Sequence, residues 1–112
     1  MLKVYISTPL MGEKFNLKRI TEVLLSYPNV FAFIPPIGQL EDKKSGALLD
    51  KNAILNCDEV WVFGKIGRDC AWEIGYANGL NKPIKFFMTQ EELSHISEDW
   101  MTFLDVKIIN DK

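Results

Sequence analysis

A glutamate lies in an otherwise apolar part of one predicted helix. Glu73 falls within the stretch AWEIGYANG, where Trp72 and Ile74 flank it and Tyr76 and Ala77 follow one turn later. A carboxylate on an apolar helix face is costly unless it is paired or takes part in chemistry. Glu73 could therefore act as an acid, a base or a nucleophile, or it could complement the helix dipole in the first turn.

A second carboxylate, Asp50, projects from a comparable stripe on an earlier helix. The residues at the offsets that share its face are Ala47, Ala53, Ile54 and Cys57. Two carboxylates on apolar faces can divide acid and nucleophile work between them, because burial and mutual repulsion separate their pKa values. The alternative for Asp50 is a surface residue without a chemical role.

Strand and helix patterns alternate along the chain and predict how these carboxylates are positioned. The predicted strands are Leu2–Ser7, Val30–Ile34, Glu59–Phe63, Pro83–Phe87 and Phe103–Ile109, and the predicted helices run from about Glu13 to Tyr27, Ser45 to Cys57, Asp69 to Leu80 and Gln90 to Ser97. Such alternation implies parallel strands joined by right-handed crossovers. We therefore expect an open α/β sheet in three layers, mostly parallel and five-stranded.

Ligands of such sheets bind outside the carboxyl ends of the strands, near the point where the strand order reverses. The loops after the first and third predicted strands lie there, and the second of these loops opens the helix of Glu73. Asp69 is a candidate N-cap for that helix, four residues before Glu73 and roughly on the same face.

The composition describes an ordinary globular domain. The chain has 112 residues, of which 47% are hydrophobic and 25% charged, so we expect one domain over residues 1–112 with a modest core. The formal net charge of -2, with lysines and arginines scattered, gives no electrostatic case for nucleic acid or an anionic membrane as a partner. Apolar runs such as Val30–Ile34 are too short to span a bilayer.

Cysteine and histidine content bears on the compartment and on metals. Cys57 and Cys70 are too few for a disulfide framework and lack zinc-like spacing, which favours a reducing cytoplasm. The N-terminal MLKVYIS enters a strand pattern directly, so we expect no signal peptide. The lone His95 leaves no histidine-based metal cluster. The sequence therefore predicts a cytoplasmic protein without a metal site.

Three stretches, in order, carry a family resemblance. They are KVYIS followed by TPL from Lys3, DKNAILNCDEVWV from Asp50, and AWEIGYANGLNKPI from Ala71. Together they resemble the nucleoside 2-deoxyribosyltransferase family, which includes related deoxynucleoside 5′-monophosphate N-glycosidases. The resemblance extends over most of the chain from Lys3 to Phe87 and implies a flavodoxin-like fold.

The resemblance also implies a glycosyl-transfer site. Glu73 would be the nucleophile that attacks C1′ of a 2′-deoxyribosyl group and forms a covalent glycosyl-enzyme. Asp50 would contact the base and assist its protonation and departure. Tyr5 would hydrogen-bond and position the nucleophile. A second base or water then takes the sugar from a small-molecule nucleoside or nucleotide, without a metal or organic cofactor.

In the resembling family a neighbouring subunit completes the pocket, so we expect a homodimer or a higher homo-oligomer. Trp61 alternates with valines on a strand and is expected in the core. Trp72 and Trp100 are expected in the core, with an interface as the alternative.

One departure from the family concerns the loop before Glu73. Family members carry an aspartate six residues before the nucleophile, with Ser-Gly-Thr after it, whereas this chain has Gly67 there and reads GRDCAWE. Asp69 is the candidate substitute for that base-binding carboxylate. Arg68 could bind a phosphate or another anion, which would favour a nucleotide substrate, or it could be a solvated loop arginine.

The hydroxyls of Ser7 and Thr8 are further candidate phosphate donors, with an ordinary turn as the alternative. The altered loop also leaves open a function of another class. A non-catalytic nucleotide-binding or sensor domain can have the same fold, because a fold does not determine a function.

Overall fold

The computed structural model describes residues 1–8, 17–34, 43–63, 68–94 and 105–109, with the side chains of residues 43–47 and 68–69 outside the description. Strands and helices alternate along these residues. They are β1 (Leu2–Ser7), α1 (Leu17–Leu25), β2 (Val30–Phe33), α2 (Lys43–Asn56), β3 (Glu59–Phe63), α3 (Arg68–Gly79), β4 (Ile84–Met88), α4 (Gln90–Ser94) and β5 (Asp105–Ile108).

The described strands form one five-stranded sheet in the order β2-β1-β3-β4-β5. Every described pair is parallel, from β1 with β2 to β4 with β5. This is the flavodoxin-like order, in which the chain leaves β1 for one edge and returns to β3 on its other side. The expected α/β fold is confirmed, and the order reverses between β1 and β3.

Helices cover both faces of the sheet, which explains why its central strands are apolar throughout. Ile54 of α2 and Ile74 of α3 pack with Val60 on one face. Ile20 of α1 packs with Trp61 on the other. The expected burial of Trp61 is confirmed.

The start of α3 differs from the sequence-based expectation. The helix begins at Arg68, so Asp69 lies one residue inside it and the prediction of an N-cap at Asp69 is wrong. Glu73 consequently lies in the second turn. Since the helix dipole acts mainly within the first turn, complementing it is a weak reason for a glutamate at this position.

The expected core position of Trp72 is wrong, and the interface alternative stays a prediction. Its side chain is 51% exposed and stacks on the ring of Tyr76, with 5.5 Å between the ring centroids. The buried residues of α3 are Cys70, Glu73, Ile74 and Ala77, a spacing of three and four residues that leaves position 72 on the outer face.

The C-terminus of α3 is closed by a Schellman motif. Asn81 adopts a left-handed conformation with φ of 60°, and the amide of Lys82 donates to the carbonyl of Ala77 at 3.0 Å. The Lys82 ammonium group also donates to the carbonyl of Cys57 at 2.6 Å, just beyond α2. This turn therefore fixes the ends of both helices that border the candidate site.

Candidate active site

The candidate site is built around the carboxylate of Glu73, which is only 7% exposed. The hydroxyl of Tyr5 donates a hydrogen bond to Oε2 of Glu73. The hydroxyl of Ser7 donates to Oε1 at 2.8 Å. Both carboxylate oxygens thus accept a hydrogen bond from the same strand, β1.

The strand period explains why β1 supplies both donors. Side chains two residues apart point to the same face of a strand, so Tyr5 and Ser7 face α3 while Val4 and Ile6 enter the opposite half of the core. Ser7 is the last residue of β1 and is paired with Val62 of β3. The contact with Glu73 therefore lies at the carboxyl end of the sheet, where the strand order reverses.

The ring of Tyr5 is fixed by its neighbours. The side chain is fully buried, and its ring stacks on Phe33 of β2, with 5.7 Å between centroids. Burial, followed by the adjacent Glu73 charge and the hydrogen bond to it, raises the pKa of Tyr5 far above its ordinary value. The phenol therefore stays protonated and acts as a donor to Glu73.

Asp50 lies on α2 one turn before Ile54, which packs in the same cluster as Tyr5 and Ile74. It is partly buried, and its charge raises the pKa of Tyr5 by less than burial and the adjacent Glu73 do. The structure thus brings together three residues that the sequence proposed for catalysis, namely Glu73, Tyr5 and Asp50. One carboxylate held by hydrogen bonds and a second on the neighbouring helix are the groups that nucleophile and acid chemistry requires.

The structure describes only some of the side chains that the sequence proposes for substrate binding. Thr8 follows β1 and is buried, with 7% of its surface exposed. Arg68 and Asp69 open α3, but their side chains lie outside the described part, and Gly67 lies outside the described residues. Their roles therefore stay predictions.

The sequence did not reveal the contact between Ser7 and Glu73. Ser7 was proposed as a phosphate donor, but in the structure its hydroxyl donates to the carboxylate. The available signal was the two-residue spacing from Tyr5, because a tyrosine that reaches α3 implies that Ser7 faces the same way.

Among the described residues, no group of three or more His, Cys, Asp and Glu side chains is arranged to hold a metal ion. No helix within the described ranges is long and apolar enough to cross a membrane.

Solved structures share this architecture. A conserved protein from Enterococcus faecalis V583 is 18% identical and has a TM-score of 0.75, with 97% of this chain and 92% of that one covered. A 2-desoxiribosyltransferase from Leishmania mexicana is 20% identical, with a TM-score of 0.64 and coverage of 88% and 75%. A 2-deoxyribosyltransferase from Bacillus psychrosaccharolyticus is 20% identical, with a TM-score of 0.68 and coverage of 97% and 86%. The chain has the fold of the 2-deoxyribosyltransferases.

The 2-deoxyribosyltransferase fold agrees with the family resemblance found in the sequence. Identities of 18% to 20% establish likeness of fold, and a function has to be argued from the site. No family model matches the sequence, and no curated protein matches it.

Proposed function

We propose that this protein cleaves the N-glycosidic bond of a 2′-deoxynucleoside or its 5′-monophosphate through a covalent glycosyl-enzyme on Glu73. The observation that carries the proposal is the buried Glu73 carboxylate, held by Tyr5 and Ser7 at the carboxyl ends of the strands. The 2-deoxyribosyltransferase fold supports the class of reaction.

In the first step, an oxygen of Glu73 attacks C1′ of the deoxyribose while the C1′–N bond breaks. The electron pair of that bond leaves with the base, which accepts a proton from Asp50. In the second step, water or the nitrogen of an acceptor base attacks C1′. The bond between C1′ and Glu73 then breaks, its electron pair restores the carboxylate, and Asp50 takes the proton released by the acceptor.

The roles follow from the surroundings of each carboxylate. Glu73 is held by two hydroxyl donors, which fix the direction of attack and leave lone pairs on both oxygens. Asp50 is more accessible and belongs to the neighbouring helix, so it suits a proton donor that must reach the departing base. The reaction as proposed uses side chains alone and needs no cofactor.

Glu73→Ala tests this proposal directly. HPLC of deoxynucleosides and their monophosphates, each with and without acceptor bases, separates transfer, hydrolysis and binding alone. We expect the best substrate to lose several orders of magnitude in rate, with the fold unchanged by circular dichroism. Near-wild-type turnover by Glu73→Ala would refute the mechanism. Binding of nucleotides without turnover by the wild type would instead indicate the non-catalytic alternative.

We also infer that the protein assembles as a homodimer or a multiple of one, with a second copy of the chain covering the outer side of α2 and α3. Support comes from large apolar side chains there, with Trp72 51%, Leu48 49% and Leu55 48% exposed. Lys51 on α2 lies 5.8 Å from the centroid of the Tyr76 ring and connects the two helices. Light scattering at micromolar concentration should report a dimer or a larger oligomer, and Trp72→Glu should weaken this association. A monomer in the wild type would overturn this inference.

The buried thiols Cys57 and Cys70 agree with a reducing compartment, and we place the reaction in the cytoplasm. Fractionation of the source cells, followed by immunoblotting, checks this placement.

A further inference from the structure

We infer that Ser7 is a positioning residue that holds Glu73 as a carboxylate and speeds its release from the sugar in the second half of the reaction. The kinetic part of this inference rests on the proposed function. Its structural part concerns the ionisation of Glu73 and can be measured without any substrate.

The geometry makes the Ser7 contact specific. Ser7 is 0% and Glu73 7% exposed, and the Oγ–Oε1 distance of 2.8 Å is that of a good hydrogen bond. Water has little access to replace the hydroxyl if it is removed. The loss of Ser7 would therefore leave Oε1 with one fewer donor in a buried setting, where such a loss is felt strongly.

The groups around Glu73 differ in what they do to its charge. From β1, Tyr5 and Ser7 both donate hydrogen bonds to the carboxylate. From α2 and α3, the charges of Asp50 and Cys70 act on Tyr5 and raise its pKa. A nearby carboxylate disfavours a second negative charge, whereas a donor to the ionised form favours it. Ser7 therefore helps to offset burial and, whenever Asp50 is ionised, the charge of Asp50 as well.

The same hydrogen bond acts unequally on the two halves of the reaction. Glu73 is charged before the first step, neutral as the glycosyl ester, and charged again after the second step. A hydrogen bond to a charged oxygen is stronger than one to a neutral ester. Because the transition state resembles an oxocarbenium ion, the carboxylate retains much of its charge there in both steps.

It follows that Ser7 stabilises the free carboxylate and the transition states more than the covalent intermediate. Removing Ser7 raises the free energies of the free carboxylate and of the first transition state together. The rate at which the intermediate forms therefore changes little. In the second step the free energy of the transition state rises while that of the covalent intermediate does not. Breakdown of the intermediate therefore slows. Ser7 thus makes Glu73 a better leaving group.

The first test is a titration of Glu73 by carbon-13 NMR of labelled glutamate side chains, with Glu73→Gln to assign the signal. In Ser7→Ala we expect the titration midpoint of Glu73 to move to higher pH by about one to two units, the equivalent of one hydrogen bond to a charged group. Ser94→Ala is the matched control, because Ser94 donates to the Glu91 carbonyl on exposed α4. An unchanged midpoint in folded Ser7→Ala would overturn the proposal.

The second test is rapid-quench kinetics on the substrate found by the HPLC panel. Ser7→Ala should slow breakdown of the intermediate about tenfold or more and change its formation by much less, so that kcat and KM fall together. Equal slowing of both steps would point to a merely structural role and overturn the proposal. Ser7→Thr retains the hydroxyl and should restore the wild-type midpoint.

The two tests also separate this proposal from the proposed function. If the wild type forms no covalent intermediate, the proposed function fails, while the titration still decides whether Ser7 holds Glu73 ionised. If Ser7→Ala does not fold, Ser7→Cys replaces it, because a thiol is only a weak donor. Its Glu73 midpoint should also move to higher pH, and an unchanged one would count against the proposal.

Discussion

Replacing Tyr5 by phenylalanine should change how stability responds to alkaline pH. The substitution removes one hydroxyl and keeps the ring that stacks on Phe33. At neutral pH we expect a loss of about 1–3 kcal/mol, because the buried Glu73 carboxylate loses a donor. The more specific effect appears above pH 10, where the phenol of an unfolded chain ionises.

The sign and size of that effect follow from the raised pKa of Tyr5, whose ordinary value is 10.0. Above that pH the unfolded chain loses the Tyr5 proton, whereas the folded protein keeps it. The folded state then binds more protons, so the free energy of unfolding falls as pH rises. This one group should remove about 1 kcal/mol between pH 10 and 11, and about 1.4 kcal/mol for each further unit.

Urea unfolding from pH 8 to 11.5, followed by circular dichroism, measures the effect. The wild type should lose stability more steeply above pH 10 than Tyr5→Phe. Burial also raises the pKa of Cys57, but both proteins share that contribution and it cancels in the difference. Tyr27→Phe is the matched control, since Tyr27 is 39% exposed. Parallel curves for wild type and Tyr5→Phe would refute the buried phenol–carboxylate pair.

Two other perturbations probe the acid and the turn after α3. Asp50→Asn should slow cleavage most for bases that are poor leaving groups, and much less for a nitrophenolate on the same sugar, because only the former need protonation; equal slowing in an HPLC assay would exclude Asp50 as the acid. Asn81→Ala should lower the free energy of unfolding by about 1 kcal/mol, because its φ of 60° is unfavourable for alanine, whereas Asn81→Gly should be tolerated. Denaturation that ranks alanine equal to or above glycine at position 81 would contradict the left-handed turn.

Strand and helix periodicity predicted much of this fold because each pattern is local. The bounds of β1 and β3 agree with the expectation, β2 ends one residue earlier, and β4 is shifted by one residue at both ends. Two predicted helices, Glu13 to Tyr27 and Gln90 to Ser97, extend into residues outside the described ranges. Helix starts were less predictable, since the residue that opens α3 depends on how its loop leaves β3.

The site could be predicted only in part. Glu73 and Tyr5 were identified through a motif resemblance, but the Ser7–Glu73 contact joins residues 66 positions apart. Such a contact depends on strand order and on the placement of α3 over β1, so the two-residue spacing of Tyr5 and Ser7 indicates it only after the resemblance has put Tyr5 beside Glu73. The error for Trp72 was avoidable, because the spacing of Cys70, Ile74 and Ala77 already placed it on the outer face.

The strand that holds Glu73 is also the one that β2 and β3 enclose on both sides. In native-state hydrogen exchange, amides of such a central strand commonly open only with the whole domain. The donors Tyr5 and Ser7 should then keep their places up to the cooperative unfolding transition. Thermal loss of activity should accordingly coincide with global melting, and any motion that admits substrate should lie outside β1.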